Sequence, residues 1–175
     1  MSALKQFYFC YGSNLLTSRM LVSNKDAKKC CNAKLKDWRL LFSGTSKLWE
    51  GSPANIVPCP GHSVVGVIWT ITDIGVLDAQ EVGYDPIQID VQRLDTGEMV
   101  RCRSYVQTEE RMSQMADGAP SLAYKNVVLA GARENGFPIE YIRQIEALPD
   151  NGRIPEAISR LVPECHGQHP DPAAS

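Results

Sequence analysis

The chain has 175 residues, 43% of them apolar and 22% charged, a composition ordinary for a globular protein and long enough to bury one core without staples. The formal net charge is -2 and the pI is about 5.9, so no basic field exists to hold a phosphodiester backbone or an anionic lipid surface, and neither nucleic acid nor membrane is expected as a partner. Cysteines 10, 30, 31, 59, 102 and 165 lack the two-residue gap of a zinc knuckle and read as free thiols. Met1 to Gln6 runs into a strand-like segment without the long apolar stretch of a signal peptide or membrane span, which makes the reducing cytoplasm the expected location.

Gln6 to Tyr11 is short and aromatic, and it stops at Gly12-Ser13-Asn14, residues that suit a turn or a helix cap. A brief helix is expected over Leu15 to Val22. Cys30 to Ser43 reads as two strands on either side of Lys36-Asp37, the second placing Trp38, Leu40 and Phe42 on one face. In Ser63 to Thr72, Val65, Val67, Trp69 and Ile71 alternate with Val64, Gly66, Ile68 and Thr70; both faces are mostly apolar, so this strand belongs deep in a sheet. Asp73 can cap a short helix carrying Val76, Leu77 and Glu81. Pro86 to Val91 and Glu98 to Gln107 form a hairpin across Asp95-Thr96-Gly97.

After Pro120 the apolar period lengthens to about 3.6, the repeat of a helix, with Tyr124, Val127, Val128 and Gly131 on one face and Ser121 as cap. Asn135-Gly136 ends that helix. Pro138 starts another through Tyr141, Ile142 and Ile145, and Pro149-Asp150-Asn151-Gly152 breaks it. Residues 163–175 read as a loose tail, which leaves a single domain over 1–162. Short strands first and helices last predict an α+β fold with a curved or barrel-like mixed sheet flanked by helices.

Two segments ask for more than packing. A strand that ends in Gly-Ser-Asn at a helix start aims backbone N–H groups at one point, which suits a carboxylate or a developing oxyanion; an ordinary turn is the competing reading. Glu81 ends the short helix of Leu77-Asp78-Ala79-Gln80-Glu81. A helix C-terminus disfavours negative charge there and burial raises a carboxyl pKa, so both effects move it toward proton transfer; a solvated helix-end acid is the bland alternative. Tyr105 and Tyr124 alone indicate only space-filling rings with a polar tip.

Together these segments resemble the γ-glutamylcyclotransferase family. The likeness runs in order through Phe7-Tyr8-Phe9-Cys10-Tyr11-Gly12-Ser13-Asn14-Leu15-Leu16, Trp49-Glu50-Gly51 and Gly66-Val67-Ile68-Trp69. It continues through Leu77-Asp78-Ala79-Gln80-Glu81, Cys102-Arg103-Ser104-Tyr105 and Gly131 to Tyr141, covering about the first 150 residues. Relatives acting on γ-glutamylamines carry Tyr-Gly-Thr-Leu and glutathione-degrading ones Tyr-Gly-Ser-Leu; Asn14 favours the first family.

The resemblance implies a β-barrel flanked by helices, a homodimer, a small γ-glutamyl peptide as substrate and no metal or organic cofactor. It implies Glu81 as catalytic residue and a substrate loop of Tyr8, Phe9, Cys10, Tyr11, Gly12 and Ser13, completed by Asn14 and Leu15. Tyr124 matches a substrate-contacting tyrosine and Tyr105 one that lines the cavity. After the glutamate the family's longer loop ends in a tyrosine, whereas Val82-Gly83-Tyr84-Asp85-Pro86 is shorter and puts Pro86 in that place; Tyr84 is the ring available to substitute. A preference for γ-glutamylamines or glutathione, or an inactive binding protein of the same fold, are the rival readings. A serine or cysteine hydrolase finds no well-placed base in His62, His166 or His169.

Overall fold

Strand β1, Gln6–Cys10, runs antiparallel to β3, Ala54–Ile71, with Tyr8 opposite Trp69 and Cys10 opposite Val67. The structure is a computed structural model describing residues 5–114 and 118–167. With β2, Lys28–Phe42, β4, Tyr84–Arg93, and β5, Met99–Gln107, the sheet closes into a barrel in the order β1-β3-β2-β4-β5. The closing contact is a parallel one, Tyr8 with Arg103. Closure leaves no open edge at the site end of β1.

The apolar alternation of Ser63 to Thr72 has the burial it predicts: Val64, Val67, Ile68, Trp69 and Ile71 are essentially inaccessible. The β4–β5 hairpin forms as expected, its turn held by Asp95, which accepts from the Thr96 amide at 2.8 Å, and by Gly97 at φ 77°.

Two expectations need correction. The strands on either side of Lys36-Asp37 are one bent strand, β2, whose register slips between Lys36 and Trp38. Asp37 takes φ 63° at the slip and accepts from the Gly61 amide at 2.9 Å, so the bulge turns the strand without ending it. Its partner β3 begins at Ala54, nine residues before the predicted Ser63. Pro58, Pro60 and Gly61 disguise that extension, and it tolerates prolines because the stretch before Val67 pairs with β2 alone.

The helices follow: α1, Thr17–Met20, after a 3₁₀ turn at Ser13–Leu15; α2, Ile74–Gln80; α3, Glu109–Ser113; α4, Leu122–Glu134; α5, Ile139–Glu146; and α6, Glu156–Leu161. Ser121 caps α4 by accepting from the Tyr124 amide at 3.1 Å, and Asp73 caps α2 from Gly75 at 3.0 Å. The predicted loose tail starts too early. Pro163–His166 is a 3₁₀ turn with Cys165 fully buried, and Asn126 donates to the Cys165 carbonyl at 2.9 Å. The remainder of that predicted tail, 168–175, lies outside the described residues.

α4 is what positions the site. Its Val127, Val128 and Ala132 are buried, and Gly131 brings the helix onto the loop after β1, where a Cβ would come within 2.6 Å of Leu15 Cβ and the Leu16 amide. Asn135 at the helix end ties the same loop down, donating to the Leu15 carbonyl at 2.8 Å and to that of Gly131 at 2.7 Å.

Candidate active site

β1 delivers Tyr11 and Gly12 to the rim of the barrel, and there the chain turns sharply into Ser13–Leu15. Gly12 adopts φ -116° and ψ -135°, and a Cβ on it would lie 2.8 Å from the Tyr124 hydroxyl. The absence of a side chain is thus what lets backbone, Tyr124 and cavity meet. The Ser13 amide points to the Tyr124 hydroxyl, which also accepts from the Ala54 amide at 3.1 Å. The Asn14 amide donates to none of the described residues.

Opposite this loop is Glu81, the residue that ends α2. It lines a small cavity of about 50 Å³ together with Gly12, Ser13 and Asn14. The other walls are tyrosines: Tyr8, Tyr11, Tyr84, Tyr105 and Tyr124. Burial pushes the Glu81 carboxyl up from 4.5 to about 7, against the pull of Arg19 and Arg111 and with a smaller push from Asp78. Desolvation dominates because the cavity itself is walled by phenols and backbone, while the arginines stand in the groove beyond it. Burial likewise raises the phenols of Tyr8, Tyr11, Tyr84 and Tyr124, with the Glu81 charge adding to it. They remain neutral donors across the working pH range.

Each tyrosine is fixed at its tip. Tyr11 donates to the Tyr105 carbonyl at 2.6 Å, Tyr84 donates to the Ala54 carbonyl at 2.6 Å, and Tyr8 accepts from Asn14 Nδ2 at 3.2 Å. Tyr105 donates to Asp78, which Arg103 also grips through two guanidinium nitrogens, so β5 holds the helix that carries Glu81. Asn14 Oδ1 is buried and without a partner among the described residues. That leaves a carbonyl acceptor in the wall near the carboxyl, where a bound cation would satisfy it.

Of the sequence-predicted residues, Tyr8, Tyr11, Gly12, Ser13, Asn14, Glu81, Tyr105 and Tyr124 all come to this cavity. Phe9, Cys10 and Leu15 do not. Alternation along β1 turns Phe9 away from Tyr8, and its ring packs at Gly66. The Cys10 thiol accepts from Trp69 Nε1 at 3.2 Å, and burial pushes it up to about 12. Leu15 is buried under α4. These three support the loop from behind. Tyr84, from the shortened segment, does supply a ring to the wall.

Sequence reasoning missed Arg19, Trp49 and Arg111. They line a larger groove of about 330 Å³ that shares Ser13, Asn14, Glu81, Tyr84 and Tyr124 with the cavity. The Trp49 ring stands edge-on to Tyr124 at 4.8 Å, and the Trp49-Glu50-Gly51 block was the one signal that could have pointed to it. Neither arginine sits in a recognisable motif. His166 lies 2.7 Å from Ser159 Oγ, but on the exposed surface, and neither residue lines the cavity. His62 is exposed as well, and His169 lies outside the described residues. Among the described residues no cluster of His, Cys, Asp and Glu could hold a metal ion, and no helix is long and apolar enough to cross a membrane.

The fold is a closed barrel with a helix-terminal glutamate facing a strand-end loop, and residues 63–145 match the model of the AIG2-like family. The human protein named gamma-glutamylcyclotransferase is 36% identical and the mouse one 37%, each over 89% of this chain and 86% of its own length. A solved structure described as a gamma-glutamyl cyclotransferase superimposes with a TM-score of 0.82 at 34% identity, covering 92% of this chain and 99% of that one. The chain belongs to the gamma-glutamylcyclotransferase family.

Proposed function

We propose that the protein converts γ-glutamyl amino acids or peptides to 5-oxoproline and a free amine, with Glu81 as the proton carrier. The observation that carries this is one carboxyl group, held near pKa 7 by burial, facing a backbone loop across a cavity walled by neutral hydroxyls.

The substrate contains its own nucleophile. Its α-amine attacks the γ-carbonyl to close a five-membered ring, so orientation is the main task and can lower the barrier by several kcal/mol. The amine arrives as an ammonium beside the substrate's own α-carboxylate, so its pKa lies above the roughly 8 of a peptide amino terminus, and passing the proton to Glu81 costs about 2–3 kcal/mol. Asn14 Oδ1, buried and unpaired among the described residues, is an acceptor for the same ammonium. As the C–N bond forms, negative charge develops on the carbonyl oxygen, and the uncommitted Asn14 amide meets it; a donor of this kind contributes about 3 kcal/mol in a dry site. Glu81, now protonated, returns its proton to the departing nitrogen as the original amide bond breaks, and then takes the second proton that the attacking nitrogen sheds in becoming the lactam N–H. The cavity takes the glutamyl end, with Tyr8, Tyr11, Gly12, Tyr105 and Tyr124 as its contacts. Phe9, Cys10 and Leu15 act through the loop they hold.

The proposal includes a homodimer acting in the cytoplasm without a metal or organic cofactor, which the sequence resemblance supports. Light scattering should give twice the 19.3 kDa of one chain, and dialysis against EDTA should leave turnover unchanged. The direct test is a panel of γ-glutamyl-alanine, the γ-glutamyl amide of the lysine side chain, and glutathione, assayed for 5-oxoproline. γ-Glutamyl-alanine should be turned over fastest. Binding of the dipeptide without turnover would identify an inactive binding protein instead.

A further inference from the structure

The groove beyond Glu81 is lined by three cations, Arg19, Lys47 and Arg111. Arg111 is committed to the fold: it donates to the carbonyls of Val82 and Thr45 and lies 5.1 Å over the Tyr84 ring. Arg19 is not committed. This half-buried guanidinium rests 6.0 Å over the Trp49 ring and forms no hydrogen bond or ion pair with any described residue. A partly desolvated guanidinium without a partner gains strongly from an incoming carboxylate.

Arg19 stands outside the cavity that takes the glutamyl end, yet it lines both the groove and a neighbouring pocket of about 270 Å³. That pocket is apolar, with Val22, Leu48, Ile158, Leu161 and Val162 in its walls. Val22, Leu48 and Leu161 keep 41%, 47% and 58% of their surface exposed, so an apolar group could still cover them. Cation and apolar pocket therefore adjoin each other on the leaving side of Glu81.

We propose that this is the subsite for the released residue: Arg19 receives its free α-carboxylate, and the Val22–Leu48–Leu161 pocket receives an apolar side chain. The inference rests on the cyclotransferase reading. In a γ-glutamyl dipeptide the residue beyond the scissile bond carries its carboxylate and side chain on one carbon, two arms that diverge from one point as Arg19 and the pocket do. A γ-glutamylamine lacks the carboxylate. Glutathione places it one residue further away and offers only a short thiol.

The test compares 5-oxoproline release from γ-glutamyl-leucine, γ-glutamyl-leucinamide and γ-glutamyl-glycine. In the native protein kcat/KM should favour leucine over leucinamide by roughly tenfold or more, chiefly through KM, and leucine over glycine by roughly tenfold. In Arg19→Gln the acid-to-amide ratio should fall to near one. Any effect of the lost charge on Glu81 is carried by both substrates and cancels in that ratio. Leu48→Ser should lower the leucine-to-glycine ratio and leave the acid-to-amide ratio standing. Equal rates for acid and amide in the native protein, a measurement that needs no variant, would overturn the carboxylate subsite. Equal rates for leucine and glycine would overturn the apolar pocket. Turnover of none of the three would overturn the cyclotransferase reading and this inference with it.

Discussion

In the proposed reaction Glu81 takes a proton from an ammonium and later gives it up, and burial supplies the intermediate affinity that both steps need. The same shift leaves a signature in stability. The folded carboxyl, near 7, binds its proton more tightly than an unfolded glutamate near 4.5. Stability from this group is therefore fully present below pH 4.5 and is lost as pH rises through 7, by an amount on the order of 3 kcal/mol. Glu81→Gln should match the native protein in urea titrations at pH 4 and exceed it at pH 8. The proposed mechanism makes the deprotonated form the active one, so log kcat/KM should rise with unit slope on the acid side and level off near pH 7. Gly12 offers a second test at this scale. A Cβ there meets the Tyr124 hydroxyl at 2.8 Å, so Gly12→Ala should displace Tyr124, and larger residues should close the cavity. KM should rise about tenfold or more in steady-state assays while the melting temperature changes little.

Between elements, the site depends on two fixed distances, loop to α4 and α2 to β5. The first is set at Gly131, where an added methyl would meet Leu15 and the Leu16 amide at 2.6 Å. Neither neighbour is a flexible side-chain end, so Gly131→Ala should cost about 1–3 kcal/mol in chemical denaturation and weaken substrate binding besides. The second runs through Asp78, which joins Tyr105 and Arg103 of β5 to the helix ending in Glu81. Asp78→Asn keeps the shape but loses the charge, and kcat should fall more than stability does.

Local signals explain what could be read at this level and what could not. Caps such as Asp73 and Ser121 are residue-scale devices, and both helices start where they indicate. β2 and β3 were harder because their continuity is a property of the pair. A bulge at Asp37 looks like a turn until Gly61 is seen across from it, and prolines at 58 and 60 look like strand breakers until the vacant neighbouring edge is known.

For the whole molecule, barrel closure gathers residues 8, 14, 81, 105 and 124 around one cavity. The cavity beside Glu81 was legible because most of its residues lie in compact motifs, each beside a turn or helix end. The groove beyond it was not legible. Arg19 acquires its meaning only from Trp49 beneath it and from the apolar walls of Val22, Leu48 and Leu161, which come from separate parts of the chain. Phe9, Cys10 and Leu15 share the motif, but pleating and helix packing turn their side chains into the core and away from the cavity. A motif gives the path of the backbone, and three-dimensional packing decides which of its side chains reach the ligand.

The central claim is that one carboxyl carries the proton, and Glu81→Gln tests it most directly. The variant should fold, bind γ-glutamyl-alanine within a few-fold of the native protein by calorimetry, and release 5-oxoproline slower by a factor on the order of 10³. A folded, substrate-binding variant that turns over at the native rate would contradict the account.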